Sequence, residues 1–168
     1  CGHTLAAVLT PGTDPVHKVS IISRGHALGY TLQLPEQDRV LLSKEELFKR
    51  IRVLLGGRVA EELLLGKDGV TGGACDDLNK ATHLLERMIM EFGMGSHLSV
   101  ISAEGTPVNQ LMAGQNIPSC SEQRRQEIHE EVEKTHQNVY DEVRNLHNYK
   151  RQILDALSLK LLEKEELN

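Results

Sequence analysis

Two adjacent carboxylates follow a pair of glycines and could bind a metal ion. Asp76 and Asp77 open a helical pattern of apolar residues that ends at Gly93. They could be capping residues, because carboxylates at a helix start accept from free N–H groups and interact favourably with the helix dipole. They could also include a metal ligand, because a catalytic zinc ion recruits carboxylates and histidines from distant parts of a chain. His3 lies on a short predicted helix and could be the histidine of such a site.

The N-terminal part of the chain predicts a short helix followed by two strands. Residues 1–9 are typical of the end of a helix, which the Pro- and Gly-containing residues 10–15 terminate. Residues 18–22 are rich in β-branched side chains, and residues 27–34 alternate in polarity until Pro35. We expect these two segments to form a small antiparallel β-hairpin.

A longer helix follows, and two adjacent glycines lie inside it. The helix is predicted to begin at a capping box formed by Ser43 and Glu46 and to end at Gly66. Gly56 and Gly57 each cost the helix about 1 kcal/mol relative to alanine. We therefore expect another helix to approach this one closely at the glycine pair.

The remainder of the chain is predicted to be helical on both sides of one long loop. Apolar periodicity disappears in residues 99–119, where glycines and prolines indicate the loop. Residues 120–168 predict a C-terminal helical hairpin with a break near His147. The predicted fold class is mainly α, with a small antiparallel β-hairpin near the N-terminus. We divide the chain into three parts. Residues 1–98 carry the candidate site, residues 99–119 form the loop, and residues 120–168 form the helical hairpin.

The composition excludes some classes of function. The 168 residues are 39% hydrophobic and 26% charged, which is ordinary for a globular protein. A net charge of −5 without a cluster of Lys and Arg argues against nucleic-acid binding. The three widely spaced cysteines fit a reducing compartment. No apolar run of about 18 residues is present, so the chain is expected to be soluble. Because it starts at Cys1, we expect a fragment of a longer protein, which could itself be membrane-bound.

Several short motifs resemble the peptidase domain of the FtsH family, the membrane-anchored AAA+ zinc proteases. They are P-G-T-D-P-V-H-K-V (residues 11–19), R-G-H-A-L-G-Y-T (24–31), G-G-R-V-A-E-E-L (56–63) and E-F-G-M (91–94). Residues 161–167 are similar to the family's closing helix. Each motif alone would be a weak signal, but together, in the family's order, they are specific.

The resemblance implies a zinc site. The family uses H-E-x-x-H, in which two histidines one helical turn apart bind zinc and the glutamate is the general base. His3 matches the second histidine, so the first histidine and the glutamate would lie immediately before Cys1, where the family commonly has Ala or Ser. This chain would then contain no catalytic glutamate. Asp77 matches the third ligand, the Asp of an Asn-Asp pair, and Asp76 stands where Asn is usual.

Three further residues compete for a role at this site. One of Glu61 and Glu62 could bind zinc or orient a ligand, but adjacent residues on a helix cannot both face one metal. We interpret both as structural. Cys75 could be a fourth zinc donor or a thiol sensor, and we interpret it as a small buried residue.

The resemblance also implies a function. It indicates a zinc endopeptidase that degrades unfolded, damaged or membrane proteins through attack of a metal-activated water on the peptide bond. An extended substrate would pair with the second predicted strand, which contains Ala27, Leu28, Gly29, Tyr30 and Thr31. Cys1 and Asp76 depart from the family's usual residues, and an alternative function follows. Some plastid members have lost H-E-x-x-H and act as inactive subunits in the assembly of a hexameric ATPase complex. Retention of Asp77 favours the active protease.

The same resemblance implies partners that lie outside this chain. ATP and Mg²⁺ would be used by a AAA+ module, since the chain lacks the motif G-x-x-x-x-G-K-[ST]. The family forms homo- or hetero-hexamers, anchored by N-terminal segments in the bacterial inner membrane, the mitochondrial inner membrane or the thylakoid. This domain would lie on the soluble side.

Overall fold

The computed structural model describes residues 1–22, 29–34, 41–95 and 122–167, and most of them are helical. The helices are α1 (Gly2–Leu9), α2 (Lys44–Leu65), α3 (Cys75–Met90), α4 (Glu122–Tyr149) and α5 (Arg151–Lys164), and the strands are β1 (Val16–Ser20), β2 (Tyr30–Gln33) and β3 (Glu166–Leu167). The predicted fold class is confirmed. The predicted loop 99–119, with the domain boundaries at its two ends, lies outside the described residues.

The three strands form an antiparallel sheet in the order β2-β1-β3. Ser20 on β1 pairs with Tyr30 on one side and with Glu166 on the other. The prediction of a helix to the end of the chain was wrong for its last residues. The helix stops because Glu165 adopts a left-handed conformation with φ 61°, and β3 then joins the sheet.

The glycine pair of α2 allows α1 to pack closely against it, as expected. A Cβ atom on Gly56 would lie 2.7 Å from the Gly2 carbonyl oxygen and 2.8 Å from the Ala6 Cβ atom. Real Cβ atoms do not approach so closely, so a side chain here would force the helices apart. The first turn of α1 is therefore fixed against the middle of α2.

The start of α2 carries the predicted capping box. The Ser43 backbone N–H donates to Glu46 Oε2 at 2.7 Å, and the Glu46 N–H donates to Ser43 Oγ at 3.3 Å. This reciprocal pair satisfies two N–H groups that the helix itself leaves free. The helix thus begins where the sequence predicts.

The packing divides the chain into two units. The first contains residues 1–81 and 139–168, and the second contains residues 82–138. The core of the first unit is aliphatic and includes Ile51, Leu55, Val59, Leu154 and Leu161. The second unit buries Leu85, Met88, Ile89, Ile128 and Val132. Within the described residues, no helix combines the length and apolar character needed to cross a membrane.

Candidate metal centre

The imidazole of His3 is held in one orientation by α2. Its Nδ1 atom lies 2.8 Å from the Val53 carbonyl oxygen, which can only accept a hydrogen bond. In the neutral ring Nδ1 must therefore carry the proton, and the lone pair of Nε2 remains available, the usual state of a metal-binding histidine. A Cβ atom on Gly57 would overlap the ring, so this glycine creates the space that His3 occupies.

Asp77 meets His3 from the first turn of α3. Its Oδ2 atom lies 3.3 Å from His3 Nε2, and both side chains are about one-third exposed, at 29% and 33%. With zinc–nitrogen and zinc–oxygen bonds of about 2.0–2.2 Å, two ligands of a tetrahedral ion lie about 3.3–3.5 Å apart. Without a cation or a proton between them, the Nε2 lone pair would face a carboxylate oxygen. The donor types and their separation therefore both fit zinc.

These two residues open onto a cleft of about 420 Å³. Its lining also contains Glu61, Leu64 and Leu65, and the two leucines are substantially exposed. A structural or catalytic zinc site takes at least three protein ligands. The described part of the chain contains no group of three His, Cys, Asp or Glu side chains that could hold a metal ion. The structure thus brings together His3 and Asp77, and a zinc site here would need a further ligand.

Asp76 points away from His3 although it is adjacent to Asp77. Its Oδ2 atom accepts from Lys80 Nζ at 2.6 Å on the exposed side of α3. The hydrogen bond to Asp76 and the charge of that carboxylate raise the pKa of Lys80. Neighbouring positions on a helix lie about 100° apart, so only one of the two aspartates can face the cleft.

Glu61 lines the cleft and also holds the segment that leads into α3. Its Oε1 atom accepts from the Thr71 N–H at 2.9 Å and from Thr71 Oγ1 at 2.6 Å. Arg58 Nη1 donates to the Thr71 carbonyl at 3.2 Å, and Thr71 Oγ1 accepts from the Gly73 N–H. Our sequence reasoning missed Arg58 and Thr71. The only available signal was the spacing of Arg58 and Glu61, which places both on one face of α2.

Glu62 faces α4 instead of the cleft. The Tyr140 hydroxyl donates to Glu62 Oε2, and Arg144 Nη2 lies 3.6 Å from Glu62 Oε1. Burial and the Glu62 carboxylate together raise the pKa of Tyr140 to about 12. Glu61 therefore bonds to the segment before α3, whereas Glu62 bonds to α4.

Part of the predicted substrate strand lies beside α1. Ala27 and Leu28 are outside the described residues. Gly29 precedes β2, and a Cβ atom there would lie 2.7 Å from the Ser20 carbonyl oxygen of β1. Tyr30 and Thr31 belong to β2 and pair with β1.

One contact joins β2 to the helix that carries His3. Thr31 Oγ1 lies 3.3 Å from Thr4 Oγ1, and Thr4 directly follows His3 in the chain. Thr4 is itself buried. The contact between the Thr31 and Thr4 hydroxyl groups therefore links β2 to the residue that follows His3.

The interpretation of Cys75 as a buried residue was wrong. Cys75 is exposed, because it is the first residue of α3 and shares the outer side of that turn with Asp76. Its Sγ atom accepts from Asn79 Nδ2 at 3.6 Å.

Comparisons with known proteins cover the whole chain. A family model described as peptidase family M41 matches residues 1–168. The chain is 43% identical over 171 residues to the ATP-dependent zinc metalloprotease FtsH of Syntrophobacter fumaroxidans. This similarity covers 99% of the chain and 26% of the relative. The chain is 43% identical to the protein of the same name from Pseudothermotoga lettingae and 39% identical to that from Thermotoga maritima, with 99% of the chain and 27% of the relative covered in both cases. The chain thus spans about a quarter of the length of these relatives.

Proposed function

The chain belongs to peptidase family M41, and we propose that it supplies two zinc ligands to the peptidase centre of an ATP-dependent, membrane-anchored protease. Its substrates would be unfolded, damaged or membrane proteins. The observation that carries the proposal is the 3.3 Å separation of His3 Nε2 and Asp77 Oδ2. The other nitrogen of the ring, Nδ1, is hydrogen-bonded to the Val53 carbonyl oxygen, so Nε2 is available to a metal.

The residues of this chain would hold and orient the metal. His3 would bind through Nε2, with its ring fixed by the Val53 carbonyl, and Asp77 would bind through a carboxylate oxygen delivered by the first turn of α3. When bound, zinc would polarise the substrate carbonyl and lower the pKa of a bound water to about 7. From the resemblance to H-E-x-x-H we expect the parent protein to supply the remaining histidine and the general base from the residues before Cys1. We therefore expect this chain alone to be inactive.

The substrate would bind as an extended strand. Tyr30 and Thr31 lie on β2, and a polypeptide that pairs with this strand through backbone hydrogen bonds would be recognised with little dependence on its sequence. Leu64 and Leu65 would provide an apolar wall for a side chain close to the metal. The Thr4–Thr31 contact would keep β2, and a substrate paired with it, at a constant distance from His3.

The whole protein would depend on parts outside this chain. The relatives are named ATP-dependent, and we propose that ATP and Mg²⁺ act through a AAA+ module of the parent protein. The parent would form a homo- or hetero-hexamer at a bacterial inner, mitochondrial inner or thylakoid membrane. This domain would lie on its soluble side.

The test is the zinc content of the parent protein and of two aspartate variants. We expect about one zinc ion per subunit in the parent, and loss of both zinc and degradation of an unfolded protein in Asp77→Ala. Asp76→Ala is the matched control, because its carboxylate pairs with Lys80 on the exposed side of the same helical turn. It should retain both properties.

Two results would contradict this proposal. A folded, hexameric parent without zinc would exclude the peptidase and would leave an inactive subunit that acts in assembly. Full zinc content in Asp77→Ala would show that a different residue completes the site.

A further inference from the structure

His147 is a fully buried imidazole that joins α4 to α1. Its exposed fraction is 0%. Its Nδ1 atom lies 2.9 Å from the Val143 carbonyl oxygen of its own helix, and its Nε2 atom lies 3.1 Å from the Gly2 carbonyl oxygen. Gly2 directly precedes His3. The imidazole therefore contacts the peptide unit that leads into the candidate zinc ligand.

The two contacts of this ring have different origins. Side chains on a helix point back towards the preceding turn, so the approach to Val143 follows from the position of His147 on α4. The approach to Gly2 joins residues 145 apart in sequence and depends on the packing of two helices. Burial lowers the pKa of His147 and so favours the neutral ring, whose single N–H can be donated to only one of the two carbonyl oxygens.

The peptide unit after Gly2 has little freedom on its other side. A Cβ atom on Gly2 would overlap the Gly56 carbonyl oxygen, so the first turn of α1 is in close contact with α2. His147 contacts the same turn from α4. A metal site needs its ligands within about 0.5 Å of the productive geometry, and a shift of this turn would move His3 by a similar amount.

We propose that His147 is a positioning residue of the metal centre. Its Nε2–H donates to the Gly2 carbonyl oxygen and so fixes the turn of α1 that presents His3. The inference rests on the proposed function, because it assumes that His3 binds zinc. It assigns to the C-terminal helical hairpin a role in the geometry of the metal site, in addition to its packing role.

The experiment compares three variants in the full-length parent protein. His147→Gln places an amide nitrogen near the position of Nε2 and retains a donor, whereas His147→Leu is apolar and has none. Val139→Ala is the control, since it removes a buried side chain from the same helix without changing the contact to Gly2. The readouts are zinc affinity by competition with a chelator, the absorption spectrum of the cobalt-substituted protein, and the melting temperature.

We expect His147→Leu to weaken zinc binding about tenfold or more and to alter the cobalt spectrum, as the loss of a group that orients a ligand does. His147→Gln should bind zinc within about threefold of the parent. Val139→Ala should lower the melting temperature and leave zinc affinity unchanged.

Three outcomes would overturn the inference. His147→Leu could bind zinc as tightly as Val139→Ala at the same loss of melting temperature, which would make His147 a packing residue only. His147→Gln could lose zinc as severely as a ligand variant while remaining folded, which would exclude the Nε2 donor even if His147→Leu fails to fold. Absence of zinc from the parent itself would overturn the proposed function, and this inference with it.

Discussion

At the scale of single residues, the two glycines of α2 have different neighbours and different consequences. Gly56 faces the backbone of α1, whereas Gly57 faces the His3 imidazole. Close helix packing could be predicted from the glycine pair, because glycine inside a helix is costly without such a reason. The link between Gly57 and a side chain depends on the relative rotation of two helices, which the sequence pattern does not specify.

We predict that Gly57→Ala weakens zinc binding of the parent protein about tenfold or more. The new methyl group would push the His3 ring away, so that its Nε2 atom would no longer lie beside Oδ2 of Asp77. The matched control is Gly72→Ala, where a Cβ atom would have no neighbour within 4 Å. Chelator competition measures the affinity. Equal affinities of the two variants would show that the ring tolerates displacement, or that it does not bind the metal.

The candidate site was predictable at the level of residue types and less so at the level of contacts. His3 and Asp77 were selected by resemblance, and their role as ligands stays a prediction. The hydrogen bonds from Thr71 to Glu61, which hold the segment before α3, could not be read from the chain, because they join residues ten apart through a turn. Local spacing rules describe neighbours on one helix, not a side chain that holds the next segment.

At the scale of elements, the helices were predictable because their apolar residues recur with a helical period. The break in the C-terminal hairpin was predicted near His147, and α4 continues to Tyr149 before Lys150 separates it from α5. The strand β3 was missed. A strand of two residues carries no periodicity, and its formation depends on pairing with β1.

The contact between α2 and α4 predicts a dependence on alkaline pH. Tyr140 donates to Glu62, and its pKa is raised from 10.0 to about 12 in the folded protein. Since the folded pKa is the higher one, this contribution to stability is fully present below about pH 10 and is lost as the pH rises towards 12. Tyr140→Phe should therefore be less stable than the unmodified chain at about pH 9, and the difference should shrink between pH 10 and 12.

Thermal melting over this pH range measures the effect of Tyr140→Phe. Tyr149→Phe is the control, because Tyr149 is 79% exposed and its removal should leave the pH dependence of melting unchanged. A stability difference for Tyr140→Phe that stays constant up to pH 12 would show that the hydrogen bond to Glu62 is not made in solution.

At the scale of the whole chain, the two ends meet within one unit. β3 pairs with β1, and His147 contacts Gly2 across 145 positions of sequence. Contacts of such long range cost loop-closure entropy and cannot be inferred from local patterns. The fold class was therefore predictable, whereas the joining of the C-terminal residues to the N-terminal sheet was not.

The side chain of Glu166 joins β3 to β1. Glu166 accepts from Ser20 Oγ at 3.0 Å through Oε1, and its Oε2 atom lies 2.8 Å from Lys18 Nζ. Both partners are on β1, Ser20 is buried, and the ion pair is about 70% shielded from solvent, so the contact should contribute more than an exposed pair. Glu166→Ala should lower the free energy of unfolding by about 1–2 kcal/mol, measured by denaturant titration.

Glu163→Ala is the control for that change, since it removes an exposed glutamate from the last turn of α5. It should alter the free energy of unfolding by less than about 0.5 kcal/mol. Zinc binding by the parent should be the same in both variants, because Glu166 bonds to Ser20 and Lys18 on the sheet. If Glu166→Ala is as stable as Glu163→Ala, the side-chain contacts of Glu166 with Ser20 and Lys18 add nothing to the stability of the sheet. If it loses zinc as well, the end of the chain supports the metal centre through β1 and not only through the contact of His147 with Gly2.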